Sequence, residues 1–166
     1  MLRRSKGKDA DGQRAGIATA GVVVGGDDPD ALELMGRLLA ATGEELFLIP
    51  DKASAVAAVT TEPRRAFVLA FSGGQSGNLA AVESIRNHAD PVVRSTPIIV
   101  LADDERNLTY AWQSGIDAHL VRPIPADVLV GAVTNAMART EQERADHRRT
   151  QLRRAQAAAL ADPDDA

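Results

Sequence analysis

No cysteine occurs anywhere in the 166 residues. That excludes disulfides, thiolate catalysis, Cys-ligated zinc and iron–sulfur clusters, and it fits a reducing compartment. Aromatic residues are nearly as scarce, at 3% with one Trp and one Tyr, so a base-stacking nucleic-acid surface is not expected. A basic surplus is missing as well: the net charge is -4, the wrong sign for a nucleic-acid platform. No apolar run approaches the ~20 residues of a membrane span. The basic start, with Arg3, Arg4, Lys6, Lys8 and Arg14, is not followed by the apolar stretch of a signal peptide. The expectation is a cytoplasmic protein that binds neither nucleic acid nor membrane. His88, His119 and His147 lie far apart without ligand spacing, so no zinc site and no Ser–His–Asp arrangement is visible.

What is present is a core. Hydrophobic residues make up 45% and charged residues 25%, the mix of a soluble globular domain. Residues 1–19 are polar, without periodicity, and read as a solvated basic leader. From Gly21 the chain punctuates itself. Val22–Val24, Leu46–Ile49, Ala66–Phe71, Pro97–Leu101 and Ala118–Val121 are short, uniformly apolar runs. Helical patterns fall between them. One follows Asp28 and Pro29, an N-cap with proline at the first helical position, and stops at Gly43. Others cover Ala53–Thr61, a stretch from a capping Asn78 to about His88, Arg106–Ser114, and a last helix from Ala126. Uniform rather than alternating strands imply a sheet covered on both faces. The predicted fold is therefore α/β: a doubly wound, five-stranded parallel sheet.

Such sheets carry their sites at the carboxyl ends of the strands. There the sequence has Gly26, Asp27 and Asp28; then Ala70, Phe71 and Ser72; then Ala102, Asp103 and Asp104; and finally Arg122 and Pro123. The segments VVVGGDDPDALEL, STPIIVLADDE and SGIDAHLVRPI, in this order, resemble the receiver domain of bacterial response regulators, the CheY-like, flavodoxin-like family. The resemblance spans roughly residues 20–138. It implies phosphoryl transfer to an Asp after the third strand, Mg²⁺ held by two acids after the first, a hydroxyl after the fourth, and a Lys before the proline after the fifth. The metal and the cation would offset the charge gathering on the transferring group.

Carried over residue by residue, the pattern is degenerate. Gly26 stands at the first acidic position and only Asp27 is kept; Ala70 stands at the acceptor, Ala102 at the hydroxyl and Arg122 at the lysine position. No register shift supplies an acceptor, because no Asp lies between Asp51 and Asp90. The expectation is a pseudo-receiver: not an enzyme, with no cofactor and no metal held by the residual acids Asp27 and Asp28. Helix capping is the favoured role for those acids. Whether Arg122 pairs with Asp27 or points to solvent is open. The GGDD string resembles a cyclic-dinucleotide synthase signature but sits at a strand-to-helix junction. The glycine-rich loop Ser72–Gly77 lacks the Gly-Lys-Ser/Thr of a phosphate-binding loop and reads as a connection.

Neither Pro nor Gly interrupts Ala132–Asp162, so the last helix is expected to run on past Thr140 and project ~30 Å from the domain. Residues 139–166 would form this extension and an acidic tail. Ala138, Ala145, Leu152 and Ala159 recur every seven residues as a weak seam. A solvated helix, a weak homodimer arm and a docking helix remain open. The resemblance implies a signalling partner, a histidine kinase or a downstream effector, contacted through the fourth helix, fifth strand and fifth helix. Tyr110, Trp112, His119, Arg144, Arg148 and Leu152 are the candidate contact residues. The alternative is a small-ligand sensor using the emptied pocket at Gly26, Asp27, Ala70, Ala102 and Arg122.

Overall fold

The computed structural model describes residues 21–72 and 75–161; the leader, the tail and the expectations placed on them lie outside these residues. The strands are β1 (Val22–Gly25), β2 (Leu46–Ile49), β3 (Ala66–Leu69), β4 (Ile98–Ala102) and β5 (Ala118–Val121). The helices are α1 (Pro29–Leu39), α2 (Lys52–Thr61), α3 (Gln75–Arg86), a single turn α4 (Pro91–Arg94), α5 (Leu108–Ser114), α6 (Ala126–Ala138) and α7 (Glu141–Ala161). The strands form one sheet in the order β2-β1-β3-β4-β5, and every pairing is parallel.

Strand side chains alternate between two cores, as the two-residue period requires. Val23, Phe67, Leu69, Ile98 and Val100 face α2, α3 and α5. Val22, Val24, Val68, Ile99 and Leu101 face α1 and α6. All are buried, which explains why these segments read as continuous apolar runs. β1 leads to β2 on one side and pairs with β3 on the other. In doubly wound sheets ligand sites lie at such a reversal, here the carboxyl ends of β1 and β3.

Local signals hold where their chemistry is short-range. Asp28 Oδ1 accepts from the Asp30 and Ala31 amides, with Pro29 at the first helical position. Gly43 closes the turn after α1 with φ 73°, a left-handed conformation suited to glycine. Gly25 is required by crowding: a Cβ there would lie 2.6 Å from the Phe71 ring.

Three boundaries differ from expectation. Asn78 does not cap α3, which begins at Gln75; the residue sits inside the first turn and is buried. α5 begins at Leu108 rather than Arg106, preceded by Asn107 at φ 58°. α4 was not expected; Asp90 caps it, with Pro91 next, the same signature that opens α1.

The largest difference is at the C-terminal end. The helix does not run on past Thr140. α6 ends at Ala138, and Arg139 is extended, with ψ 142°. Thr140 then starts α7 with a reciprocal capping box: its Oγ1 accepts from the Glu143 amide, and Glu143 Oε2 accepts from the Thr140 amide. The chain turns back, and α7 packs along α5. Ala155 is buried in the main core, with Leu152 half-buried against it. The seven-residue seam is therefore not the buried line. The inward line is Arg144, Arg148, Leu152 and Ala155, at spacings of four, four and three, with Arg144 only 2% exposed.

Candidate functional site

The site begins where β1 and β3 end. Asp27 does not meet Arg122. Its Oδ1 accepts from the Ser72 amide at 2.9 Å and its Oδ2 from the Ser72 hydroxyl at 2.6 Å. These two bonds hold the Asp27 carboxyl below its usual range, with Lys52 adding a smaller pull. Asp27 thus laces the end of β1 to the segment after β3. Asp28 is spent on its helix cap.

Ala70 and Ala102 are buried, at 5% and 6% exposure. The Ala70 amide donates to Gly25 O, and the Arg122 amide to Ala102 O. Arg122 lies after β5, before a cis bond to Pro123. Its guanidinium spans two elements: Nη2 donates to the Ala70 carbonyl at 3.0 Å and Nη1 to Asp103 Oδ1 at 3.0 Å. The planar fork reaches a carbonyl and a carboxylate together. The strand ends thus bring together Ala70, Ala102, Asp103 and Arg122, with Gly26 and Asp27 on the far side of β3. Among the described residues, no three His, Asp or Glu side chains gather as metal ligands.

A second polar centre, at the opposite ends of β4 and β5, was missed by the sequence reading. Asp117 is 1% exposed and precedes β5. Its Oδ2 accepts from the Ile98 amide and from Arg86 Nη2. Its Oδ1 accepts from Arg148 at 2.8 to 2.9 Å, with Arg144 Nε at 3.8 Å. Arg86 also donates to the carbonyls of Gly115, Arg94 and Thr96. Arg144 donates to those of Ser95 and Arg139. Carbonyl acceptors thus disperse the surplus positive charge. The sequence signal for this cluster was a run of arginines beyond Thr140 and one lone acid in SGIDAHLV; neither identifies the other.

The candidate contact residues divide accordingly. Arg144 and Arg148 point into the fold and bind Asp117, because a buried carboxylate must be paired. Trp112 is buried at 7% exposure and meets the His147 ring edge-on at 5.8 Å. Leu152 packs against the same core. Tyr110 is exposed, and its hydroxyl donates to Glu83. His119 is half-buried in a groove of about 320 Å³ that also runs past Leu108, Leu120, Ile124 and Val128. Burial pushes the His119 imidazole below its usual value, against the pull of Glu105 and Asp104. The groove lies on the expected α5, β5 and α6 face, bordered by Gln151 of α7.

This architecture is the CheY-like, flavodoxin-type receiver fold with a further long helix at the C-terminal end. Among similar solved structures is the chemotaxis protein CheY4 of Vibrio cholerae, 17% identical over 72% of this chain and 99% of that one, with a TM-score of 0.62. A CheY-like receiver domain protein of Methanospirillum hungatei covers 76% of this chain and 99% of its own at 14% identity and a TM-score of 0.65. The receiver domain of a sensor histidine kinase from Pseudomonas aeruginosa, with a magnesium ion in its active-site cleft, is 19% identical over 74% of this chain and 100% of that one, at a TM-score of 0.60. No protein-family model matches the sequence, and no curated protein matches it. Among the described residues no helix is long and apolar enough to cross a membrane.

Proposed function

We propose that this chain is a pseudo-receiver: a module of two-component-type signalling that acts through protein contact and not through Asp phosphorylation. The observation that carries the reading is Arg122 bonded to the Ala70 carbonyl. At the strand end where the resemblance implies an acidic acceptor there is a buried alanine, and the cation that would meet a phosphoryl group is bonded to its backbone. Asp27, the remaining acid, is committed to Ser72. Neither arrangement needs an added group to be complete.

Contact is assigned to the groove of α5, β5 and α6. It offers half-buried apolar side chains with His119 among them, and Val128 at its edge is 44% exposed. A histidine kinase or a downstream effector is the partner class that the resemblance implies.

Two measurements test the proposal on the full chain. Incubation with acetyl phosphate and Mg²⁺ followed by intact mass is expected to show no added phosphoryl group; a stable adduct overturns the phosphorylation-independent mechanism. Capture of partners from the source organism is expected to succeed with the wild type and fail with Val128→Asp. Equal capture by both removes the groove as the contact surface.

A further inference from the structure

Only Arg139 and Thr140 separate α6 from α7, and Arg139 is extended. The turn is held by side chains. The Thr140 and Glu143 amides are taken by the Glu143 carboxylate and the Thr140 hydroxyl, and the Arg139 carbonyl accepts from Arg144 Nη1 at 2.7 Å. Neither Pro nor Gly interrupts Ala132–Asp162, so the same stretch can also run as one helix. There the Thr140 and Glu143 amides would bond to the carbonyls of Ala136 and Arg139, four residues back. Both forms satisfy these backbone groups, so the backbone alone does not fix the bend.

The groups that receive α7 precede α6 in the chain. Arg148 and Arg144 stand 2.8 and 3.8 Å from Asp117 Oδ1, and Arg144 Nη2 donates to the Ser95 carbonyl at 2.8 Å. His147 meets Trp112 edge-on, and Ala155, with Leu152 beside it, joins the core. In the straight form α7 would leave its own α5. Asp117, 1% exposed, would keep Arg86 alone of its three arginines, and Trp112 would lose its cover. A buried carboxylate demands its partners. The pattern that restores them is two arginines four apart, then Leu and Ala at four and three. That is the inward line of α7 itself, so a second copy of this chain supplies it.

We propose that two copies of this chain exchange α7: α6 and α7 straighten into one helix, and the α7 of each copy docks on the α5 and Asp117 of the other. The arrangement is two-fold and closed. Each contact of α7 is kept but is made between chains, so the dimer is weak and concentration-dependent. Gln151 of α7 borders the groove around His119. In the dimer it comes from the second copy, which makes that groove a surface of two chains. The inference does not rest on the pseudo-receiver reading.

Sedimentation of the full-length protein over a concentration series tests this, together with isotope-filtered NMR on a mixture of labelled and unlabelled chains. The wild type is expected to form a dimer whose fraction rises with concentration. In that dimer a contact is expected between Trp112 of one copy and His147 of the other. Glu141→Pro tests the hinge. Proline is favoured at the first position of a helix and disfavoured inside one, so it keeps the bent form and blocks the straight one. The dimer is expected to weaken in this variant by at least about a hundred-fold. A wild type that stays monomeric at every concentration overturns the proposal. A dimer without the Trp112–His147 contact between chains overturns the exchange, and a dimer equally strong in Glu141→Pro overturns the straightened helix.

Discussion

At the residue scale, one acid organises more of the molecule than any other: Asp117 receives three arginines from two helices and the amide that opens β4. Removing one side of a buried ion pair strands the other, typically at about 3–5 kcal/mol. Asp117→Ala is expected to lose stability of that order in urea unfolding, and a loss under about 1 kcal/mol would show the cluster to be ornamental. A second residue-scale prediction concerns Gly26. A Cβ there would sit 3.5 Å from the Ala70 carbonyl oxygen, an ordinary contact. A Cβ at Gly26 is thus accommodated, and the double variant Gly26→Asp, Ala70→Asp would add two carboxylates at the ends of β1 and β3 beside Asp27. It is expected to gain Mg²⁺ binding by calorimetry over the wild type, and no gain would mean that the Asp27–Ser72 lacing excludes the ion. The proposed loss of the acceptor rests on the sequence, where no aspartate lies between Asp51 and Asp90 whatever the register. The partners of Asp27 and Arg122 were not legible there, since both depend on where Ser72 and Asp103 come to rest.

At the element scale, the C-terminal helix carries the main correction. Composition favoured one long rod, because nothing from Ala132 onward breaks a helix. The break is made by Thr140 and Glu143, which satisfy each other's amides in a way that continuing the helix would forbid. Losing an N-cap costs about 1 kcal/mol. Thr140→Ala is expected to speed hydrogen exchange in the first turn of α7 while β1 and β3 stay protected; uniform loss of protection would mean that α7 and the sheet open as one unit. The capping pattern Thr-Glu-Gln-Glu stands in the sequence, but a stretch without Pro or Gly points more strongly to a continuous helix. The inward line was hidden for a different reason. Two of its four members are arginines, and a hydrophobic pattern does not count them.

At the scale of the whole molecule, α7 changes what the fold presents. It covers α5 and supplies Leu152 and Ala155 to the main core, so the open groove narrows to the strip around His119 and Val128. Stability should follow pH accordingly. Burial lowers the pKa of both His119 and His147 below the ordinary 6.5. Between the folded and unfolded values the unfolded chain binds more protons, so stability rises with pH through that window and is lost as pH falls below about 6.5. Asp27 adds a second, more acidic window of the same sign: its folded pKa is depressed, so its contribution is present above the unfolded value and lost below it. Melting temperature followed downward from neutral pH is expected to fall, and the fall is expected to shrink in His119→Gln. An unchanged slope would leave the effect with Asp27 and with His147, which sits on α7 against Trp112 of α5.

The sheet was determined by the sequence alone. Five uniform apolar runs separated by helical patterns admit few arrangements other than a parallel sheet covered on both faces, and the bounds of β1, β2 and β5 lie within a residue of the expected ones. Local caps at Asp28 and Gly43 were equally legible, because they involve neighbours in the chain. Tertiary structure decided where the arginines went, that α7 folds back, and that Asn78 turns its amide inward. The arginine placements rest on groups 31 and 49 residues apart, as in Arg148 to Asp117 and Arg144 to Ser95, whereas Asn78 reaches only to Phe71. A buried charge takes whichever partner the fold brings within reach, and no pattern along the chain encodes that distance.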